Sequence, residues 1–467
     1  MTAKASDAEL SAGVFTSVDP ALGKIIDNPP AKSIEAGIEQ LKRSAVAQRQ
    51  WARLSVGERC TRIRPLADKL REQASLLGML ITREMGKPIQ QSLDEIEKSA
   101  RTIEFYTENA KQFLQPNAIP TEAPSSYCCY KPLGVILGVL PWNFPVWQTI
   151  RACIPALLAG NAFAYKHAPN VQLCAATMGD VFAGIEDFQQ LCVHLPVQNE
   201  AVPELIKSPL IAGVTFTGSS NVGSKIAAWA GASIKPCVLE LGGSDPYIVL
   251  EDADLDLAAS TMARARLHNN GQSCIGAKRM IVLESVAEAF TGRFRDALAA
   301  YRPENPSKPN CKLGPIARSD LRDSLHRQVV KSIEMGAQCL LGGEIPQGDG
   351  FFYPATLLLN PSADSPAASE ELFGPVASLF IAGSEAEAIA IANASDYGLG
   401  AAIFSKDRDR AERLIRDEIQ AGFGSVNGQV KSDPRLPFGG IGKSGFGREL
   451  GAEGIRAFTN LKTIVVN

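Results

Sequence analysis

A chain of 467 residues, 45% apolar and 21% charged, has an ordinary globular composition and is long enough for two or three domains. Its net charge of −3 is small and evenly spread, which argues against nucleic acid or acidic lipid as a partner and leaves small molecules. Ten cysteines without the dense spacing of a disulfide scaffold fit reduced thiols and a cytoplasmic location, and residues 1–13 show no basic stretch leading into an apolar core. Cys128-Cys129 is a vicinal pair rather than C-x-x-C, and with only four scattered histidines no metal site is spelled out. No uninterrupted apolar run approaches the ~18 residues of a membrane span.

After a polar lead with turn chemistry at Asp19-Pro20 and Asn28-Pro29-Pro30, residues 33–51, 57–85 and 89–114 carry apolar positions three and four apart with charges between, the pattern of amphipathic helices. Gly86-Lys87-Pro88 separates the second from the third. Residues 125–131, with Tyr127 and Tyr130, read as an extended segment, an edge strand or hairpin arm.

From Leu133 short apolar runs alternate with helical stretches. The predicted strands are 135–140, 162–166, 191–195, 212–216 and 237–241, each one helix apart, so crossover helices and a parallel doubly wound sheet are expected, with ligands at the carboxyl ends of its strands. Beyond Gly242-Gly243 a second α/β unit is expected. Its strands are 246–250, 279–283, 338–341, 377–382, 400–405 and 423–427, with 352–359 extended; its helices are 254–267, 285–300, 319–335, 384–394 and 407–418. The β-branched end, 462–467, suits pairing with an edge, including that of another subunit.

The chemistry centres on Cys274. It lies on a tight turn between a helical run and an apolar strand, with Gly271 before it and Gly276 after it, where a nucleophile is exposed yet held. A lone cysteine is more often a small buried hydrophobe. Pro141-Trp-Asn-Phe-Pro145 follows a strand and opens a helix, so Asn143 is pre-aimed as an oxyanion donor; an ordinary turn residue or helix cap is the alternative. Lys166 ends a strand where a nucleotide would lie, or is a solvated surface lysine. Thr215-Phe-Thr-Gly-Ser219 opens a helix whose backbone amides favour phosphate, or is a plain strand-to-helix turn. Glu240 is a carboxylate in an apolar strand end, where desolvation would tune it toward a general base or backbone donors would satisfy it. Glu370-Glu371-Leu-Phe373 adds an acid and an aromatic before a tight turn.

Taken in order and spacing, Asn143, Lys166, Gly218, Ser219, Glu240, Cys274, Glu371 and Phe373, with the late stretch Pro437-Phe-Gly-Gly-Ile-Gly-Lys-Ser-Gly-Phe-Gly-Arg-Glu-Leu450, resemble the aldehyde dehydrogenase superfamily over nearly the whole chain. The resemblance implies an α/β fold of two doubly wound domains plus a small β oligomerisation element. It places the cofactor domain at 1–116 and 132–241, the catalytic domain at 242–445, and the oligomerisation element at 117–131 and 446–467, with a homodimer or homotetramer as the assembly. Position by position it implies Cys274 as nucleophile, Asn143 and the Cys274 amide as oxyanion donors and Glu240 as base. NADP or NAD would lie among Trp142, Lys166, Ala168, Pro169, Gly218, Ser219, Leu241, Gly242, Glu371 and Phe373. NAD-preferring relatives carry a glutamate where Pro169 stands, after His167, so NADP is expected to be admitted.

Lys166-His-Ala-Pro-Asn170, Glu240-Leu-Gly-Gly-Ser-Asp-Pro246 and Lys443-Ser-Gly-Phe-Gly-Arg-Glu449 most resemble the bacterial succinate-semialdehyde dehydrogenase branch. Arg151 stands where such enzymes turn an arginine toward the substrate carboxylate, with a surface or helix-packing arginine as the alternative. Where some of them have a second arginine, this chain has His268, which leaves the clamp incomplete or completed from the loop Lys431-Ser-Asp-Pro-Arg435, by Ser432 and Arg435. Ile275 and Gly276 follow the nucleophile, so no neighbouring thiol is there to form a disulfide with it. The alternatives are a broader ω-carboxy aldehyde dehydrogenase, a CoA-acylating or phosphorylating relative, against which Glu240 argues, and a catalytically silent nucleotide-binding or structural relative.

Overall fold

The apolar runs after Leu133 fold as parallel strands joined by helices in the computed structural model, which describes residues 13–185 and 188–467. The first sheet runs Gly445–Phe446, Cys237–Glu240, Ile211–Thr217, Val135–Leu140, Ala162–His167, Cys192–His194 in spatial order. All its pairings are parallel except the outermost, where Gly445 lies opposite Glu240 and Phe446 opposite Leu239. That pairing carries the late glycine-rich stretch to the strand end that bears Glu240.

The second sheet runs Gln338–Leu341, Thr356–Leu359, Val376–Ala382, Ala277–Leu283, Asp245–Val249, Gly400–Phe404, Phe423–Val426, and only Gln338–Leu341 is antiparallel. Its central strands are buried on both faces. Tyr247, Val249, Met280 and Val282 pack on one side with Met262, Phe290 and Phe294, while Ile248, Leu250, Ile281 and Leu283 pack on the other with Ala388, Ala411 and Leu414. Alternation between two apolar layers is why these strands read as continuous apolar runs.

A third sheet sets Thr459–Val466 beside Ser125–Pro132 and Asn117–Ala118. Of the C-terminal segment 446–467, only Thr459–Val466 lies in it. The helix Gly451–Arg456 packs instead on Pro145–Leu158 and Ile89–Phe113, where Tyr106 donates its hydroxyl to Gly451 O at 3.1 Å.

Two local expectations needed revision. Residues 57–85 are three helices, Val56–Ile63, Leu66–Glu72 and Ala74–Met85, because Pro65 ends the first and Gln73, at φ −94° and ψ 5°, interrupts the rest. The polar lead contains a hairpin, Ser17–Asp19 with Lys24–Asp27, whose turn closes as Asp19 Oδ1 accepts from Ala21 N at 2.9 Å. No helix among the described residues is long and apolar enough to cross a membrane.

Candidate active site

The nucleophile loop leaves the Leu255–Leu267 helix through a run of left-handed residues, Asn269 (φ 54°), Asn270 (φ 58°) and Gly271 (φ 74°). That conformation costs a non-glycine residue about 1–2 kcal/mol, and asparagine tolerates it because its amide can bond nearby backbone. Both amides do so. Asn269 Nδ2 donates to Asn143 O (2.8 Å) and Gln272 O (3.1 Å), and Asn270 Nδ2 donates to Gly86 O (2.8 Å) and Pro315 O (2.9 Å) while its Oδ1 accepts from Gly314 N (2.6 Å). A Cβ at Gly271 would overlap the Gly374 backbone. Gly271→Ala is therefore expected to destabilise the protein by about 3 kcal/mol or more; an unchanged urea midpoint would contradict this account of the loop.

Two buried cations hold the loop from behind. Arg266 donates to Gly271 O and Gly374 O, each at 2.5 Å. Lys278 Nζ donates to Ser273 O at 2.9 Å and to Cys274 O at 2.6 Å, and pairs with Glu371 Oε1 at 3.1 Å. Cys274 O itself lies 2.7 Å from where a Cβ on Gly243 would be, so the Gly242-Gly243 pair allows the strand end to approach the nucleophile.

Asn143 faces this loop. Its Nδ2 donates to Gln272 O at 3.0 Å with one hydrogen, leaving a second for an oxyanion. Its backbone is fixed by Lys87, whose Nζ donates to Asn143 O at 2.9 Å and forms a buried pair with Glu95. Glu95 Oε1 in turn accepts from Val146 N and Trp147 N, both at 2.9 Å, at the start of the Pro145–Leu158 helix.

Glu240 ends the Cys237–Glu240 strand. It is 1% exposed, and neither carboxyl oxygen has a hydrogen-bond partner among the described residues. Burial first, then the charge of Glu449, push its pKa well above the carboxylate range, with Arg151 and Arg448 acting the other way. Burial likewise pushes the Cys274 thiol up to about 12; Lys278 and Arg151 lower it, and Glu371 and Glu240 raise it. Cys274 therefore rests as the thiol at neutral pH, and its thiolate and the base form of Glu240 both grow as pH rises. With a neutral aldehyde, kcat/KM is expected to keep climbing as pH rises above neutrality, since the thiol titrates at about 12; a flat or falling profile would contradict these assignments.

A cavity of about 310 Å³ opens onto Cys274 and Ser273, walled by Phe144, Trp147, Gln148, Arg151, His268 and Phe438, with Lys98, Lys431 and Ser432 also lining it. Three of the four residues expected to touch substrate, Arg151, His268 and Ser432, are there. Arg435 is not: its exposed guanidinium forks onto Asp433, at 2.8 and 2.6 Å, so the loop offers Lys431 and Ser432 instead. Arg151 is 3% exposed rather than a surface group, but it is ion-paired with Glu449 and its Nη2 donates to Thr217 Oγ1 at 3.3 Å. His268 stacks on Phe144, with ring centroids 5.9 Å apart. The ring keeps solvent contact, and the surrounding protein, then Lys87, Lys98 and Lys431, push its pKa below the usual value, so it is neutral at pH 7 and above.

The residues expected to hold a dinucleotide line the carboxyl ends of the first sheet. Lys166 is buried, donates to His167 O at 3.0 Å, and is pushed down by burial to about 8, with Glu200 acting the other way. That acid comes from the turn Asn199–Ala201, an element the motif around Pro169 could not reveal. His167 is neutral, driven by burial to about 4, and spans Thr149 Oγ1 (2.7 Å) and Pro141 O (3.1 Å). Ala168 and Pro169 lead into the turn Pro169–Val171. Ser219 caps the Ser220–Ala232 helix, and Gly218 N donates to Glu240 O at 3.1 Å, tying the helix start to the base-bearing strand. Leu241 N donates to Ser444 O at 3.0 Å. Glu371 lies against Gly242, where a Cβ would collide with it, and accepts from Gly243 N at 3.1 Å. Trp142 and Phe373 meet edge to face at 5.8 Å.

Sequence reasoning did not single out Lys87, Glu95, Lys98, Asn269, Lys278 or Glu449. Glu449 stood within the quoted late stretch and Lys278 within the nucleophile loop, but their ion-pair partners, Arg151 and Glu371, lie far off in sequence, and nothing local marks either as buried.

Comparison with known proteins bears on the family and the fold. The chain is 42% identical over 448 residues to the succinate semialdehyde dehydrogenase Sad of Escherichia coli strain K12, named as using NAD(P)+, covering 96% of this chain and 97% of that one. It is 42% identical over 454 residues to a probable NADP+-dependent succinate-semialdehyde dehydrogenase of Synechocystis, covering 96% and 99%. The crystal structure of succinic semialdehyde dehydrogenase from Streptococcus pyogenes in complex with NADP+ superposes with a TM-score of 0.93 at 30% identity, covering 97% of this chain and 99% of that one. The model of the aldehyde dehydrogenase family matches residues 8–464, and the chain belongs to that family.

Proposed function

We propose that this chain oxidises succinate semialdehyde to succinate with NADP or NAD as hydride acceptor, through a thioester on Cys274. The observation that carries the reading is a single cavity whose walls hold Cys274 together with Lys98, Arg151 and Lys431, in a chain whose relatives are named for that substrate. The resemblance-derived parts, a cofactor domain of 1–116 and 132–241 and a catalytic domain of 242–445, meet at this cavity. Ten cysteines without the dense spacing of a disulfide scaffold suit a reducing cytoplasm. The strand Thr459–Val466, at the edge of its sheet with Leu461, Val465 and Val466 exposed, suits pairing in a homodimer or homotetramer.

The chain's own residues divide the work. Cys274 Sγ gives up its proton to solvent, the resulting thiolate attacks the aldehyde carbon, and the tetrahedral oxyanion so formed is held by the remaining Asn143 amide hydrogen and the Cys274 backbone N–H. Lys166, Ser219 and the first turn after it fit a dinucleotide's ribose and phosphates, since Lys166 is buried with only a carbonyl as hydrogen-bond partner among the described residues and Ser219 opens a helix. When bound there, the nicotinamide supplies the hydride acceptor that turns the tetrahedral adduct into a thioester. Glu240, with both oxygens uncommitted, takes a proton from water as that water attacks the thioester and releases the acid.

The test is a panel of acid-bearing and neutral aldehydes assayed with each cofactor. kcat/KM for succinate semialdehyde is expected to exceed that for butanal by about 100-fold or more, the scale of a buried charge contact, with NADP accepted. Equal constants for the two aldehydes would overturn the substrate, and a strict requirement for NAD would overturn the cofactor reading.

A further inference from the structure

With His268 neutral and Arg151 committed to Glu449, neither group at the positions that suggested a carboxylate clamp is a free cation. Another cation lines the same cavity. We infer that Lys98, on the Ile89–Phe113 helix with Ser432 beside it, receives the distal carboxylate of the substrate. This rests on the function proposed above and names the group that would confer its specificity.

A lysine among charges on a helix face is ordinarily solvated, but Lys98 is only partly exposed. Its Nζ donates to Ser432 Oγ at 2.6 Å and sits 3.9 Å from the centroid of the Trp147 ring. Lys98, Ser432, Trp147 and Cys274 all line the one cavity, so a short aldehyde can present its carbonyl to the thiol and its other end to the ammonium.

The charge balance around Lys98 points to an anionic ligand. The acids that favour its charged form are Glu95 and Asp433. Glu95 is already paired with Lys87, and Asp433 with Arg435 at 2.6 Å. Asp94, which also lines the cavity, is exposed and accepts from Gln90 at 3.0 Å. No described carboxylate forms an ion pair with Lys98, and Arg151 and Lys87 both act against its charge. Burial is the main force on it, pushing the amine down to about 7. An ammonium placed this way weakens the fold, and a ligand carboxylate would supply the missing countercharge. Ser432 can hold that carboxylate as well, since its hydroxyl accepts from Lys98 and keeps its own hydrogen to donate.

The experiment compares wild type, Lys98→Met and Lys98→Arg on succinate semialdehyde and butanal. In Lys98→Met the ratio of kcat/KM for the acid aldehyde to that for butanal is expected to fall at least about 30-fold, with the loss in KM rather than kcat. Lys98→Arg keeps a cation and should restore the ratio to within about fivefold of wild type. Thermal unfolding of Lys98→Met should not be lowered, because an apolar chain of similar length replaces an unpaired charge. An unchanged ratio overturns the inference, and so does an equal loss on both aldehydes with a lowered melting temperature, the mark of a structural lysine. Should the methionine variant fail to fold, Lys98→Gln is read by the same ratio. The substrate reading is judged separately, on wild type: lack of preference for the acid aldehyde there sinks that reading, whereas preference in wild type with an unchanged ratio in the variants sinks only the role of Lys98.

Discussion

Cys274→Ala is expected to lower aldehyde oxidation by about four orders of magnitude or more, because removal of a covalent nucleophile leaves only binding and oxyanion contacts. The structure makes the loss specific to chemistry. The loop is held through the carbonyls of Gly271, Gln272, Ser273 and Cys274, bonded to Arg266, to Asn143 and Asn269, and to Lys278, and none of these bonds involves the thiol. The variant should therefore fold with wild-type stability and still bind cofactor. Retention of more than about a hundredth of wild-type turnover would remove Cys274 from its assigned role.

Glu240→Gln is expected to separate the two halves of the reaction. The amide has nearly the shape of the acid, and the carboxyl oxygens make no hydrogen bond among the described residues that the change would break. The first turnover should survive as a burst of reduced cofactor close to one per active site, while the steady-state rate falls by about 10²- to 10⁴-fold for want of a base. Loss of the burst with the steady rate would place Glu240 in thiol activation instead. A wild-type steady rate accelerated by added CoA would show that water is not the natural acceptor.

What could be read from the sequence was whatever is encoded locally. The parallel strands were legible because burial on both faces, as at Tyr247–Leu250, forces continuous apolar runs. Asn143 was legible because two prolines bracket it, and Cys274 because Gly271 and Gly276 mark the turn that carries it, Gly271 being in the left-handed region. The broken helix in 57–85 was missed because its apolar spacing runs on across Pro65. The charge pattern of the substrate end was not legible at all. His268 looked like a gap where an arginine might have been, yet the candidate cation stands on the Ile89–Phe113 helix, in a charge-rich stretch that reads as solvent-facing, and only the fold brings Lys98 to Ser432. Arg435, the loop cation that looked available from sequence, is neutralised by its near neighbour Asp433, while Ser432 and Lys431 reach the cavity.

The central claim is a covalent acyl group on Cys274 that Glu240 releases. Its most direct test is to mix Glu240→Gln enzyme with succinate semialdehyde and cofactor, quench in acid after the burst, and locate the added mass on the digested protein. The expected result is one succinyl group on the peptide that carries Cys274, absent when cofactor is omitted. An unmodified Cys274 peptide after a full burst, or the acyl group on another residue, would contradict it.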